Sequence, residues 1–329
     1  MIPRIFRWDD GNAPVLNGVA GSLINLLTKC LIDGYGDQLP VGGWTREFVN
    51  VEETKAVFRG NPLIGTGFFL RVDDTFGHYA SCNGLEVATD LDTGTGLFSS
   101  GNISFYKSGA AGTTPRPWLL AATDTFFYLF VYFQSTTTDT LIASISSANR
   151  AALSLFIFGD FLKEHDEAFN CIIGTGRNNN NTGASSGGVY GLVQAPFGLI
   201  GNAGLSGYVS MPRSLSGAPD APTSANILRP PGIVDYRNSQ NSYYWPVGPA
   251  FTGRLYVSSV MFAEDSMLNV RGTLPGLYFP LHGYSGLTTV FSEITAGGRS
   301  FIVFPACGYQ SSAYVRFVIF LLEIGADWS

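Results

Sequence analysis

Apolar residues along this chain fall in short aromatic and β-branched runs, separated by clusters of Gly, Asn, Asp, Ser and Pro. That punctuation predicts many strands joined by turns. Residues 54–59, 66–72, 79–89, 102–106, 118–121 and 126–134 read as a first group of strands. Residues 153–158, 254–262, 277–280, 299–304 and 315–323 continue the series. Asp73-Asp74, Asn83-Gly84 and the segment 122–125 read as turns, and Asn83-Gly84 is expected to split 79–89 into a hairpin. One stretch has a different rhythm. Leu23, Leu26, Leu27, Cys30 and Leu31 recur at helical spacing and predict one amphipathic helix, with Ser22 or Asn17 as its cap and Gly34 as its terminator. Residues 3–17 before it are too polar and too rich in Gly and Pro for a regular element, and read as an arm.

The predicted architecture is mainly β, with antiparallel sandwich- or barrel-like sheets and one N-terminal amphipathic helix. Residues 1–41 form the arm and helix; residues 42–329 form a β-rich body, with a split into two lobes between 150 and 190 left open. No fixed-period repeat occurs, which disfavours a propeller or solenoid. Residues 174–188 (GTGRNNNNTGASSGG) and 212–246 read as loops, the second interrupted by Pro230-Pro231-Gly232. Two strands, 126–133 and 315–322, are apolar on both faces. They must be covered on both sides, within a lobe or under a subunit interface.

Composition sharpens the picture. With 19 basic and 25 acidic residues among 329, the chain carries roughly half the usual charge, so its surface is easiest to explain if partners cover much of it. A net charge of −6 with scattered Lys and Arg argues against nucleic acid. No apolar run reaches the length of a membrane helix, and the N-terminus lacks a signal-peptide core. Cys30, Cys82, Cys171 and Cys307 stand far apart and read as buried thiols with a reduced history.

Candidate chemistry is sparse. Asp90, Asp92 and Gly94 form half of a calcium loop, but the ligand set is incomplete and a turn is the simpler reading. The GxSxG match at residues 183–187 lacks the flanking strand and helix a nucleophile elbow needs. His78, His165 and His282 have no metal-ligand spacing, and no cofactor is implied. Carboxylate pairs for polysaccharide hydrolysis are inevitable among 25 acids, and no context singles one out.

Several segments occur together in a familiar order: Gly43-Trp44-Thr45, GTGFFLRVDD (65–74), LEVATDLDTGTG (85–96), RPWLLAATDTFFYLF (116–130), LFIFGDF (155–161), VRGTLPGLYFPLH (270–282) and GRSFIVF (298–304). This series resembles a family of virion structural proteins of tailed bacteriophages and prophages. The resemblance implies a non-enzymatic particle component of the tail or baseplate, assembled in the host cytoplasm. It implies partners that are further copies of the chain and other virion proteins, and no catalytic residues. Capsid decoration is an alternative, as is a tail-tip module that binds host glycans through residues 178–188 and Tyr243, Tyr244 and Trp245. The arm and helix are the expected attachment element, with Trp8, Leu23, Leu27 and Leu31 at the assembly interface; the competing reading is that the helix closes one end of the β core.

Overall fold

Phe126–Tyr132 is buried at every position, because two separate cores press on its two faces. Phe126, Tyr128, Phe130 and Tyr132 enter one core, while Phe127, Leu129 and Val131 enter the other. The doubly apolar strand is therefore covered from within the chain. These observations come from a computed structural model, which describes residues 2–99, 101–132, 153–175, 208–228, 255–264, 269–281, 290–307 and 317–328.

The elements are β1 (Arg4–Arg7), α1 (Ser22–Thr28) continued by a π-turn (Lys29–Asp33), β2 (Thr45–Val49), β3 (Lys55–Arg59), β4 (Phe69–Asp73), β5 (Tyr79–Ala88), β6 (Gly94–Leu97) and β7 (Ile103–Tyr106). There follow β8 (Trp118–Ala122), β9 (Phe126–Tyr132), β10 (Leu153–Asp160), β11 (Leu162–Lys163), β12 (Cys171–Thr175), β13 (Tyr208–Met211) and β14 (Thr223–Leu228). The last are β15 (Val257–Glu264), β16 (Val270–Pro280), β17 (Glu293–Ala296), β18 (Arg299–Cys307) and β19 (Phe317–Ile324). A 13-stranded sheet runs β1-β8-β9-β10-β12-β13-β14-β15-β16-β19-β18-β17, with β11 on β16. It curls until its two end strands approach each other: Arg7 Nη1 lies 3.2 Å from Glu293 Oε1, and Trp8 packs on Phe291 at 5.0 Å. Inside the curl, Phe130 of β9 stacks on Phe304 of β18 at 3.6 Å. A 6-stranded sheet, β2-β3-β4-β5-β6 with β7 on β5, lies with α1 over the outer side of β8, β9, β10 and β12. The mainly β, antiparallel, sandwich-like layering with one helix matches the sequence-based expectation.

Three expectations are corrected. The arm is not irregular throughout: β1 pairs with the open edge of β8, from Arg4↔Ala122 to Arg7↔Leu119, and Phe6 is buried. Tertiary pairing outweighs the local composition there. Asn83-Gly84 does not turn; it lies inside the ten-residue β5. Gly84 is required because the Phe98 ring occupies its side-chain space, where a Cβ would come 2.4 Å from Cδ2. The segment 212–246, read as a loop, contains β14. β9, β10, β12 and β13 are successive neighbours in one sheet. The expected hairpin at 122–125 is present, with Ala122 opposite Phe127.

Candidate interaction surface

The leucine stripe of α1 faces inward. Leu23, Leu27 and Leu31 are wholly buried in the core between the two sheets, so none of them offers surface to a neighbour. This corrects the assembly-interface expectation in favour of the helix as a cover over the β core. Trp8 is partly buried and spends its indole on the sheet seam, beneath Arg7 at 5.4 Å and against Phe291. It also lines a cleft of about 160 Å³ with Pro14, Pro117 and Trp118. The helix is capped from outside its own sequence: Leu23 N donates to Asp74 Oδ2 at 2.9 Å, and Ser22 Oγ donates to Asn17 O. Gly34 ends the following π-turn at φ 81°, as its position predicted.

Asp74 and Lys107 are both fully buried, with Nζ 2.5 Å from Oδ1; the ammonium also donates to Val19 O and Ser22 Oγ. Burial pushes the Asp74 carboxyl up to about 6, against the pull of Lys107, and burial lowers Lys107. The native state thus holds a proton that an unfolded Asp, near 3.8, has already released. Asp74's contribution to stability is full below about pH 4 and is lost as pH rises through 6. Urea unfolding of Asp74→Asn should show its stability relative to the native sequence improving by about 2–3 kcal/mol between pH 4 and 7. A constant difference would contradict this.

A second buried cluster ties segments far apart in sequence. Arg271 forks onto Glu167, through Nε at 3.2 Å from Oε1 and Nη2 on Oε2, and its Nη1 reaches Glu264 Oε1 at 2.5 Å. Nη1 also donates to the carbonyl of Arg213, whose own guanidinium grips Glu86 of the smaller sheet through two bonds of 2.6 Å. Glu167 is 5% exposed.

Exposed apolar side chains are spread over the described surface, Val51 in the β2–β3 turn being 96% exposed, and one set lies on segments that meet around the β8–β9 turn. Trp44 Nε1 donates to Thr123 O there at 2.8 Å, and Asn61 N donates to Asp124 O at 3.0 Å. Arg4, opposite Ala122, reaches Leu39 O at 3.4 Å. The segments gathered in this way carry Ile2, Leu39, Leu63 and Ile64, which are 69%, 65%, 90% and 54% exposed. The β3–β4 loop bearing Leu63 and Ile64 is held in place. Asp160 accepts from Thr66 N at 2.7 Å and Thr66 Oγ1 at 2.5 Å, and Leu63 N donates to Asn61 Oδ1. Burial raises the Asp160 carboxyl. Sequence reading missed this set, although an apolar pair between Pro62 and Gly65, outside any strand, was a visible signal.

No protein-family model matches the chain, and no curated protein matches it in sequence.

The candidate chemical groups are placed as follows. Asp90 and Asp92 sit in the β5–β6 hairpin turn, where Lys55 Nζ lies 3.3 Å from Asp92 Oδ1. His165 Nε2 bonds the Val270 carbonyl at 2.9 Å, and His78 lies among aromatic rings. Cys30, Cys82 and Cys171 are buried free thiols, each pushed up by burial and so poor nucleophiles. Among the described residues, no group of three or more His, Cys, Asp or Glu is placed to hold a metal ion. Among the described residues, no helix is long and apolar enough to cross a membrane. His282, the GxSxG match, the loop at 178–188 and Tyr243-Tyr244-Trp245 lie outside the described residues.

Proposed function

We propose that this chain is a non-enzymatic structural component of a tailed-phage particle, part of the tail or baseplate, acting through contacts with its own copies and with neighbouring particle proteins. The observation that carries the reading is the set of large apolar side chains left exposed, with Ile2, Leu39, Leu63 and Ile64 on segments that meet around the β8–β9 turn, on a chain of which only 13% is charged. Large side chains left exposed cost free energy in water and gain it under a partner. The Asp160–Thr66 bonds pre-order the loop, which lowers the entropy lost on docking. The order of segments that resembles virion proteins supplies the particle context. The buried charges support the reading from another side: Asp74, Lys107, Arg271, Glu167 and Glu264 are engaged with one another and with backbone groups.

Light scattering behind size-exclusion chromatography tests the contact. The native chain is expected to elute as an oligomer, and Leu63→Asp with Ile64→Asp is expected to give a folded species of lower mass. Both positions are exposed, so the fold tolerates the change. An oligomer of unchanged mass in the double variant would remove this set from assembly.

A further inference from the structure

The β2–β3 turn and the cleft beside Trp118 lie at the same end of the molecule, away from the β8–β9 turn. β8 runs from Trp118 at the cleft to Ala122 at that turn. β3 runs from the β2–β3 turn toward Asn61, whose N–H donates to Asp124 O. Backbone bonds link turn and cleft: Asp74 N donates to Thr54 O at 2.7 Å, Gly21 N to Asp74 O at 3.1 Å, and Arg116 N to Leu16 O at 2.8 Å.

The turn is a knob. Val51 is 96% exposed, the most of any large apolar side chain among the described residues. Its backbone is held in place. Asn50 Oδ1 accepts from Thr54 N and Lys55 N at 2.9 and 2.7 Å, and Glu53 takes a left-handed φ of 52°. Glu52 and Glu53 are exposed as well, so the apolar tip is flanked by acid.

The cleft has the complementary character. Its volume of about 160 Å³ suits one apolar side chain, since an apolar cavity of about 150 Å³ admits benzene. Trp8, Pro14, Pro117 and Trp118 give it apolar walls, and Val15, which also lines it, is 52% exposed. Among the described residues that line it, Arg116 alone is charged. Burial lowers the Arg116 guanidinium, so an arriving carboxylate relieves a cost already present. The carboxylates nearest in sequence to Trp8 are engaged elsewhere, Asp9 with Arg7 and Asp10 with Tyr35.

We propose that two copies of this chain pair about a two-fold axis, the Val51 knob of each seated in the Trp8–Trp118 cleft of the other. A two-fold pairing uses one complementary contact twice and closes on itself. The valine leaves water for indole and proline walls, and the glutamates bring negative charge to Arg116. The proposal rests on the reading above only in that copies of the chain meet one another. It uses a different surface from Leu63 and Ile64, which stay open to a further neighbour.

Sedimentation equilibrium of the full chain and of Val51→Asp is the first arm of the test. The variant is expected to weaken the pairing about a hundredfold, about tenfold for each of the two identical contacts. Val51 is on the surface, so the change leaves the fold intact, and circular dichroism verifies this. The second arm mixes Val51→Cys chains with Val15→Cys chains under mild oxidation. A disulfide joining the two variants, in excess over either variant joined to itself, is the expected product. Cys30, Cys82 and Cys171 are buried, and the native chain serves as control. An oligomer that Val51→Asp leaves at full strength would overturn this contact and leave the reading above standing. Val51→Cys chains that link only to one another would overturn it too, as a tip-to-tip contact. A native chain that stays monomeric at every concentration would overturn both.

Discussion

Lys107→Met is expected to lower the unfolding free energy by about 3–5 kcal/mol at pH 7, because it leaves Asp74 buried without a counter-charge. Lys107 is fully enclosed, so its ammonium exists only to serve Asp74, the Val19 carbonyl and Ser22. Asp74 in turn caps α1 through Leu23 N, so the loss reaches the helix as well as the pair. The sign of the pH effect is distinctive. Without Lys107 the Asp74 carboxyl rises further above its native value of about 6, so the variant regains part of its stability as pH falls toward 5 and the carboxyl takes up its proton. Urea unfolding at pH 5 and pH 7 measures both effects. A loss below about 1 kcal/mol at pH 7, or a loss independent of pH, would show that the pair does not hold the helix to the sheet.

Arg271→Leu is expected to cost at least as much, about 3–5 kcal/mol or more, since one guanidinium serves two buried carboxylates. Removing it leaves Glu167 and Glu264 facing each other without a cation, and strips a donor from the Arg213 carbonyl. Arg271→Lys should recover only a minor part. A single ammonium cannot reproduce a bidentate fork on Glu167 while reaching Glu264 and a carbonyl. Denaturant midpoints at pH 7 for the native chain and the two variants give the order: native above Lys, Lys at or above Leu. A lysine variant as stable as the native chain would mean that charge alone, without fork geometry, sustains the cluster.

Most strands were legible because their residues alternate or run apolar between turn formers. β3, β8, β9, β10, β18 and β19 lie where the pattern put them. What escaped was set by distant neighbours. β1 takes its conformation from the edge of β8, more than a hundred residues away, and its own sequence carries no sign of that partner. β17 is likewise a short end strand, paired on one side to β18. Asn83-Gly84 carries a strong local turn signal, but the ring of Phe98 claims the glycine's empty side and the strand continues. The leucine stripe of α1 was legible as amphipathic, yet periodicity cannot tell a neighbouring molecule from the chain's own sheet as the surface it covers. The buried charges were invisible for the same reason: Arg271 and Glu167 meet across 104 residues.

The central claim, that this chain is a tail or baseplate component, is tested most directly by electron microscopy of intact particles. The particles should come from the genome that encodes the chain, and be labelled with gold-conjugated antibody against it. Label at the tail or baseplate is the result expected. Label over the shell would move the protein to capsid decoration, and particles without label would contradict the particle reading outright.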